Sequence, residues 1–405
     1  MSDSTASQGA PAMMSSIKFG DDGAILIINQ LLLPHVVRWE KVETLEEGYD
    51  AIKSMKIRGA PALASLACLV LAQNISRSLM ASPLPDHLTD QQSFLTYLTK
   101  STEYLNGARP TAVNLGEGMK RMQQAGEDAL KAGKSAEESA KLVVEAGQLV
   151  HNEDLARNIL MSKHGADWIS KVTGKKDDIR ILTVCNTGSL ATSGMGTALG
   201  VITNLHQTGR LGRAFYTQTA PYHQGSRLTS LELLTLQIPS TLLADTMVGS
   251  LFQHHQIDAL VVGADRVVRN GDTANKVGTY NAAVLAKRHG VKVVIVAPET
   301  TIDVSVADGS GIPIEQRPAT ELCSVSGKLL SINGEAQTSS DVSLATVQIT
   351  PNGVGSLDYS QCYNPAFDVT PAGLIDAVVT ETRVVENMTL CTHNMRPRDG
   401  RRQKP

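Results

Sequence analysis

From Ile179 to Ala297 the chain keeps one rhythm, and few folds accommodate it. Short apolar runs rich in β-branched residues, "IRILTV", "RAFYTQ", "TLLAD", "DALVVGAD" and "VKVVIVA", are separated by stretches long enough for a helix. A strand that is apolar at almost every position has no face to offer to water, so it must be covered on both sides. The intervening lengths suit the crossover helices that parallel neighbours need. The pattern predicts α/β architecture, a Rossmann-like domain on a mostly parallel sheet. Such sheets bind ligands beyond the carboxyl ends of their strands. Cys185, Asp245 and Asp265 all fall at such ends, which makes that edge the place to look for chemistry.

Upstream the period changes. After a short β start at "AILIINQ" and "HVVRWE", the region from about Ile25 to His164 is mostly helical. Thr44 followed by Glu47 is a capping-box pattern. The stretches "PTAVNLGEGMKRMQQAGEDALKAG" and "SAEESAKLVVEAGQLVHNEDLARNIL" carry helical periodicity. With 405 residues there is material for two cores. The expected layout is a frayed tail over residues 1–15, a mainly helical N-terminal domain with a small sheet over 16–170, and a polar connector "KVTGKKDD". A Rossmann-like catalytic domain over 178–390 and a basic tail over 391–405 complete it. Residues 322–356 are Ser/Thr/Gly-rich and read as an inserted hairpin or mobile loop.

Composition narrows the partners. A net charge of -3 and a pI near 6.4 argue against a nucleic-acid binder, which needs a basic footprint. The five cysteines are odd in number, far apart and never in a C-x-x-C pair. They suggest neither a disulfide framework nor a zinc site, and hence a reducing compartment. The opening residues lack a signal-peptide pattern, and "LASLACLVLA" has the length of a buried helix rather than a bilayer span. A soluble, cytoplasmic protein acting on a small molecule is the expectation.

Several motifs allow both a structural and a chemical reading. The glycines of "GMGTALG" lack the spacing and the downstream acid of a dinucleotide site, and "KAGKSAEE" has Asp128 where a P-loop needs its first glycine. In "NTGSLAT", Asn186, Thr187 and Gly188 offer backbone amides and a hydroxyl at an expected helix N-terminus, a phosphate-cradle candidate, although the glycine could simply turn the chain. Cys185 is either a small buried hydrophobe or a thiol facing the crevice. Asp265, straight after four apolar residues, must find a partner such as Arg266, cap a helix, or do chemistry. Arg58 and Gly59 in "RGAPA", and Arg109 in "ARPTAVN", precede helices and could be phosphate ligands or ordinary surface and turn residues. The stretch "NGDTANKVGTYN" reads as a polar loop on the ligand edge. His254 and His255 end a helix and lack the i, i+4 spacing of a metal pair.

Taken in order, "RGAPA", "ARPTAVN", "VCNTGSLAT", "PYHQGSRLTSLEL", "VVGADRVVRNGDTANKVGTYNAAVLAK", "APETTID", "IPIEQR" and "NPAFDVTPAGLI" resemble the methylthioribose-1-phosphate isomerases of methionine salvage. That family shares its fold with regulatory subunits of translation initiation factor 2B and with ribose-1,5-bisphosphate isomerase. The resemblance runs from about residue 15 to 390, apart from the insertion. It implies an aldose–ketose isomerase with Cys185 as essential cysteine and Asp265 as proton donor. It places substrate contacts at Arg58, Gly59, Ala60, Arg109, Gln224, Asn275 and Lys276. No cofactor or metal is implied; a homodimer in cytoplasm, and in eukaryotes also nucleus, is. A non-catalytic sugar-phosphate or nucleotide binder of the initiation-factor type and a ribose-1,5-bisphosphate isomerase are the alternatives. One departure stands out: "ETRPYNQG" in the family is "QTAPYHQG" here, with Gln218, Ala220 and His223 replacing glutamate, arginine and asparagine. Losing that arginine bears on how the loop is held.

Overall fold

The computed structural model describes residues 13–386 apart from 111, 330, 333–334, 337–343, 353 and 355–361. Most of both expected tails, and Cys391, lie outside the described residues.

The N-terminal part opens with a three-stranded antiparallel sheet, β1 (Ile17–Phe19), β2 (Ile25–Ile28) and β3 (Trp39–Val42). Five helices follow: α1 (Leu45–Lys53), α2 (Ala60–Met80), α3 (Gln91–Asn106), α4 (Val113–Lys131) and α5 (Ala136–Thr173). The Thr44–Glu47 box opens α1, and a second one, Ser135 with Glu138, opens α5. Each satisfies amide groups that a helix start leaves free. The centre is α2, apolar around most of its circumference and buried against α4 and α5. Two glycines permit that approach: a Cβ at Gly118 would sit 2.8 Å from Cys68 Sγ, and one at Gly147 2.9 Å from the Cys68 carbonyl oxygen. Although α2 has the length and hydropathy to cross a membrane, it is the core of this bundle.

Helix α5 continues past the expected boundary at residue 170 and stops at Gly174, which takes a left-handed conformation (φ 69°). Its last turns leave the bundle: Met161, Ala166, Trp168 and Ile169 pack into the core of the second part. One helix therefore belongs to both cores and ties them together.

The second part carries the predicted sheet. Its strands are β4 (Ile179–Thr183), β5 (Leu211–Thr217), β6 (Ser240–Leu243), β7 (Ala259–Val262), then β8 (Arg266–Val268), β9 (Thr273–Lys276), β10 (Lys292–Val296) and β11 (Ile302–Asp303). Helices α6 (Ala198–Gln207), α7 (Ser230–Thr235), α8 (Val248–His254) and α9 (Thr279–His289) connect them. After α10 (Thr320–Cys323) come β12 (Ser324–Lys328), β13 (Ser331–Ile332), β14 (Glu335–Ala336), β15 (Leu344–Gln348), β16 (Phe367–Thr370), β17 (Ala377–Val379) and β18 (Val384–Glu386). The main sheet runs β18-β17-β10-β7-β4-β5-β6, parallel except for the antiparallel edge strand β18.

Side chains alternate between two buried faces. Ile181, Ala259, Val261 and Val294 meet α5, α6 and α7, while Leu182, Leu260, Val262 and Val293 meet α8 and α9. Full burial of each such aliphatic contributes roughly 1.5–3 kcal/mol, which is why uniformly apolar strands suit this sheet. The chain builds outward from β4 to β5 and β6, then returns to the other side of β4 as β7. The carboxyl ends of β4 and β7 thus flank a switch point, where a crevice opens.

Two expectations need correcting here. "NGDTANKVGTYN" is not a loop: most of it forms the β8–β9 hairpin turn, β9 and the start of α9, within a second sheet ordered β11-β8-β9-β16. Gly271, at φ 92°, makes the turn. Likewise "NTGSLAT" does not open a helix. A single 3₁₀ turn, Ser189–Ala191, follows Cys185, and α6 starts only at Ala198. In the insertion, β12 and β15 pair as an antiparallel hairpin.

Candidate active site

The crevice at the switch point is open to solvent and spans about 670 Å³, solvent space included. Arg58, Gly59, Ala60, Arg109, Cys185, Asn186, Thr187, Gln224, Asp265, Asn275 and Lys276 line it, brought together from six separate stretches of chain. Gly188 is not among its walls.

Cys185 follows β4 with φ 71°, a left-handed conformation that costs a non-glycine residue energy and persists only when its neighbours impose it. Those neighbours are explicit. Its amide donates to Thr219 Oγ1 at 2.9 Å and its carbonyl accepts from Thr229 Oγ1 at 2.6 Å. Arg58 Nη1 stands 3.5 Å from Sγ, while Nη2 donates to the Asn186 carbonyl. The Arg58 side chain is buried, so its charge acts on the sulfur through little water. Gly59 has φ 99° and packs directly on Ala191, where a Cβ would come within 2.3 Å of the carbonyl oxygen. Its glycine is needed for backbone contact between the two parts of the molecule.

Asp265 ends the β7 segment, and its amide donates to the Ala274 carbonyl at 2.9 Å. Arg266 does not pair with it but with Asp303, at 3.4 Å. Burial pushes the Asp265 carboxyl above its ordinary value, outweighing the positive charges of Lys276, Arg109 and Arg58. Lys276, on β9, moves the opposite way: burial pulls its ammonium down, and the nearby Arg109 and Arg58 charges add to that, outweighing the attraction of the Asp265 carboxyl. Lys276 Nζ donates to the Ala366 carbonyl at 2.9 Å and lies 5.4 Å from the Tyr222 ring centre and 5.0 Å from that of Phe367. Asn275 Nδ2 donates to Thr279 Oγ1 at 3.0 Å. Gln224 Oε1 and Arg109 Nε are buried without a hydrogen-bond partner among the described residues, the condition of polar groups that serve a ligand. Three basic side chains, a carboxyl raised by burial and a cysteine around one crevice suit a phosphorylated substrate undergoing proton transfer.

Two loops around this crevice are held by carboxylates that the sequence did not single out for that task. Glu232, on α7, is 2% exposed. It accepts from Asn186 Nδ2 (2.7 Å), the Ser189 amide (2.7 Å), Ser189 Oγ (2.8 Å) and the Leu190 amide (3.3 Å). The Ser189 and Leu190 amides, which follow the cradle candidates Asn186, Thr187 and Gly188, therefore already serve a protein carboxylate. A Cβ on Gly188 would sit 2.2 Å from Glu232 Oε2, so that glycine makes room for Glu232. Asp245, expected at the ligand edge, instead accepts from the Thr219 and Ala220 amides at 2.9 and 2.8 Å.

Residues 56–386 match the initiation factor 2 subunit family. A methylthioribose-1-phosphate isomerase of Postia placenta is 54% identical over 90% of this chain and 93% of its own length. One of Laccaria bicolor is 53% identical over 91% and 95%. This chain belongs to the methylthioribose-1-phosphate isomerase group of that family. Among solved structures, a 5-methylthioribose 1-phosphate isomerase from Pyrococcus horikoshii superposes with a TM-score of 0.75 at 32% identity, covering 95% of both chains. A protein described as translation initiation factor eIF-2B, subunit delta, from A. fulgidus gives 0.68 at 35% identity over 92% and 96%.

Within this isomerase-group chain, sequence reasoning missed Glu232 and Glu315. A lone acid inside the apolar helical run "LTSLELLTL" was the available signal for Glu232, since a charge on a core face must be paired. Glu315 lies between two arginines, 3.0 Å from Arg109 and 2.7 Å from Arg317. It partly neutralises Arg109 and fixes which of its N–H groups remain free for the crevice. Nothing local in "IPIEQR" indicates a partner 206 residues away.

Proposed function

We propose that this crevice converts 5-methylthioribose 1-phosphate to 5-methylthioribulose 1-phosphate, an aldose–ketose isomerisation. The observation that carries the reading is the placement of a half-buried acid, Asp265, and a cysteine, Cys185, just past neighbouring strand ends in a crevice that three basic side chains also line. The substrate's C1 oxygen is locked in a phosphate ester, so the sugar cannot open to an aldehyde unaided. Protonation of the ring oxygen opens it, and a carboxyl held above its ordinary value by burial retains the proton to give. Hydrogen then passes from C2 to C1. In an enolate route Cys185, as thiolate, takes the C2 proton and returns it to C1; in a hydride route hydride moves directly from C2 to C1 and Cys185 stabilises the positive charge left at C2. In either case the C2 hydroxyl proton passes to the Asp265 carboxylate, and Arg58 stands beside the sulfur. Arg58, Arg109 and Lys276 hold the phosphate.

Met55, Pro298 and Phe367 form an apolar part of the same wall. They suit a methylthio group and disfavour the second phosphate of ribose 1,5-bisphosphate. A homodimer belongs to the same reading: Leu234, Leu242 and Met247 stay 77, 46 and 54% exposed around edge strand β6, and sedimentation as a monomer at micromolar concentration would remove that part. A second reading, a sugar-phosphate sensor without turnover, draws on the A. fulgidus relative. The deciding experiment follows ketose formation by NMR in purified protein. Turnover supports the isomerase; binding without conversion supports the sensor.

A further inference from the structure

The structure brings together two cysteines that the sequence holds 39 positions apart. Cys323 Sγ and Cys362 Sγ lie 3.8 Å from each other, and the residues are 4% and 6% exposed. Cys323 ends α10 immediately before β12, and its carbonyl accepts from the Ile349 amide just after β15. Cys362 lies where the chain returns from the insertion. The two thiols thus face each other across the base of the inserted hairpin.

Below them the outgoing and returning chains are laced together. The Arg317 amide donates to the Asn364 carbonyl at 2.9 Å, Gln316 bridges to Pro365, and the Ala366 amide donates to the Glu315 carbonyl at 2.9 Å. Asn364 Nδ2 adds a bond to the Pro318 carbonyl at 3.1 Å. This stem has a different task at each end. Its upper end holds the hairpin and the thiols. Its lower end holds two crevice cations, Arg109 through the Glu315 carboxylate and Lys276 through the Ala366 carbonyl.

We propose that Cys323 and Cys362 are a dithiol site that closes to a disulfide and clasps the base of the hairpin. A disulfide needs its sulfurs at about 2.05 Å, so the pair must close by less than 2 Å from 3.8 Å. No third histidine, cysteine, aspartate or glutamate joins them among the described residues, which leaves metal binding without a ligand set. The oxidant is a small-molecule disulfide. One cysteine, as thiolate, attacks it, forming a mixed disulfide and releasing one small thiol. The second cysteine loses its proton, displaces the remaining small thiol and forms the Cys323–Cys362 bond. Two protein S–H bonds are lost, one S–S bond is gained, and one small disulfide becomes two thiols.

The full-length protein would be equilibrated in buffers of graded oxidised and reduced glutathione, its remaining thiols alkylated, and its peptides mapped without reduction. The expected result is a dominant peptide linking Cys323 to Cys362, with slower proteolytic cleavage within the hairpin by at least about threefold. Cys323→Ser should lose both effects while keeping wild-type turnover, and Cys362→Ala serves as the second variant should Cys323→Ser fold poorly. A parallel series in Cys185→Ser removes the crevice thiol from the count. Separate glutathione adducts at the two cysteines, a bond to another cysteine, or thiols that stay alkylatable across the whole series would overturn the dithiol site. A linked peptide with unchanged cleavage of the hairpin would overturn the clasp.

Discussion

The turns after β4 and β5 solve the same problem with different security. Each leaves a strand at the crevice, each contains non-glycine residues at positive φ (Cys185 in the first, Thr219 and His223 in the second), and each is gathered by one carboxylate accepting backbone amides. In the first turn that carboxylate is Glu232, buried and also bonded to Asn186 and Ser189 side chains. In the second it is Asp245, half-buried and bonded to amides of Thr219 and Ala220. The first turn carries Cys185 and the second leads into Gln224. On the proposed reading, the turn that places a reacting atom is fixed from inside the core, and the turn that places a substrate contact is fixed nearer the surface. The two are also joined, since the Cys185 amide donates to Thr219 Oγ1.

The largest effect should come from the reacting groups themselves. Cys185→Ser and Asp265→Asn are expected to lower kcat by at least ~10³-fold with folding retained, as for loss of a positioned proton-transfer group; Gln224→Ala should mainly raise KM, by roughly tenfold. If Gln224→Ala costs kcat as heavily as Cys185→Ser, the division of labour between the two turns is wrong. Next in size is Glu232→Ala, which strands the Ser189 and Leu190 amides in the core and leaves Asn186 Nδ2 only its long bond to Thr229 Oγ1. Urea unfolding should register a loss of about 3 kcal/mol, the scale of buried donors left unpaired, together with a kcat decrease on the order of 10²-fold. Asp245→Ala should cost only about 1 kcal/mol, with KM rising a fewfold and kcat nearly unchanged. Equal losses in the two variants would erase the contrast.

How far the sequence foretold these turns depends on the range of each contact. The apolar alternation declared the parallel sheet because burial on two faces is written into the strands themselves, as Val261 and Val262 show by facing opposite cores. The Thr44–Glu47 box was legible because both partners are local. The resemblance implies the list of crevice residues, but the helix start expected at "NTGSLAT" is a single 3₁₀ turn, and nothing local signals that its Ser189 amide serves an acid 43 residues downstream. The polar strand "TANK" reads as loop from sequence because it lacks an apolar pattern, and its pairing with β16 is set by contacts distant in the chain. Cys323 and Cys362 looked unrelated because their meeting depends on the stem that closes the insertion.

The acids also separate by pH. Burial raises the Asp265 carboxyl, so if its protonated form opens the ring, kcat/KM should fall as pH rises through that elevated value, and the residual rate of Asp265→Asn should lack this limb. For Glu232 the consequence is in stability. Its carboxyl is raised above the ordinary 4.5 by burial, despite the lowering effect of its hydrogen bonds. The folded state therefore holds this proton more tightly than the unfolded chain, and its contribution is fully present below pH 4.5 and lost as pH rises through the raised value. Urea midpoints measured across that window should decline less steeply in Glu232→Gln than in the wild type. Identical slopes would mean that Glu232 does not titrate differently in the two states.

The smallest effect is expected at Ala220, where the resemblance implies an arginine. Restoring the side chain with Ala220→Arg tests whether the second turn needs an arginine for its orientation. Here the backbone already has three anchors: Asp245 on the Thr219 and Ala220 amides, the His223 amide on the Thr219 carbonyl at 2.8 Å, and Arg227 Nε on the Tyr222 carbonyl at 3.1 Å. Arg227 is itself secured to the Gln30 and Leu33 carbonyls, both at 2.9 Å, and burial pulls its guanidinium down to about 10. A new guanidinium beside Asp245 adds a half-exposed ion pair to a carboxylate that already accepts two amides, an interaction worth about 0–1 kcal/mol. KM for the sugar phosphate should therefore stay within roughly fivefold of the wild type, with kcat unchanged. A tenfold or greater fall in KM would show instead that an arginine at 220 reaches the substrate, and that the second turn contributes a charge to binding in addition to placing Gln224.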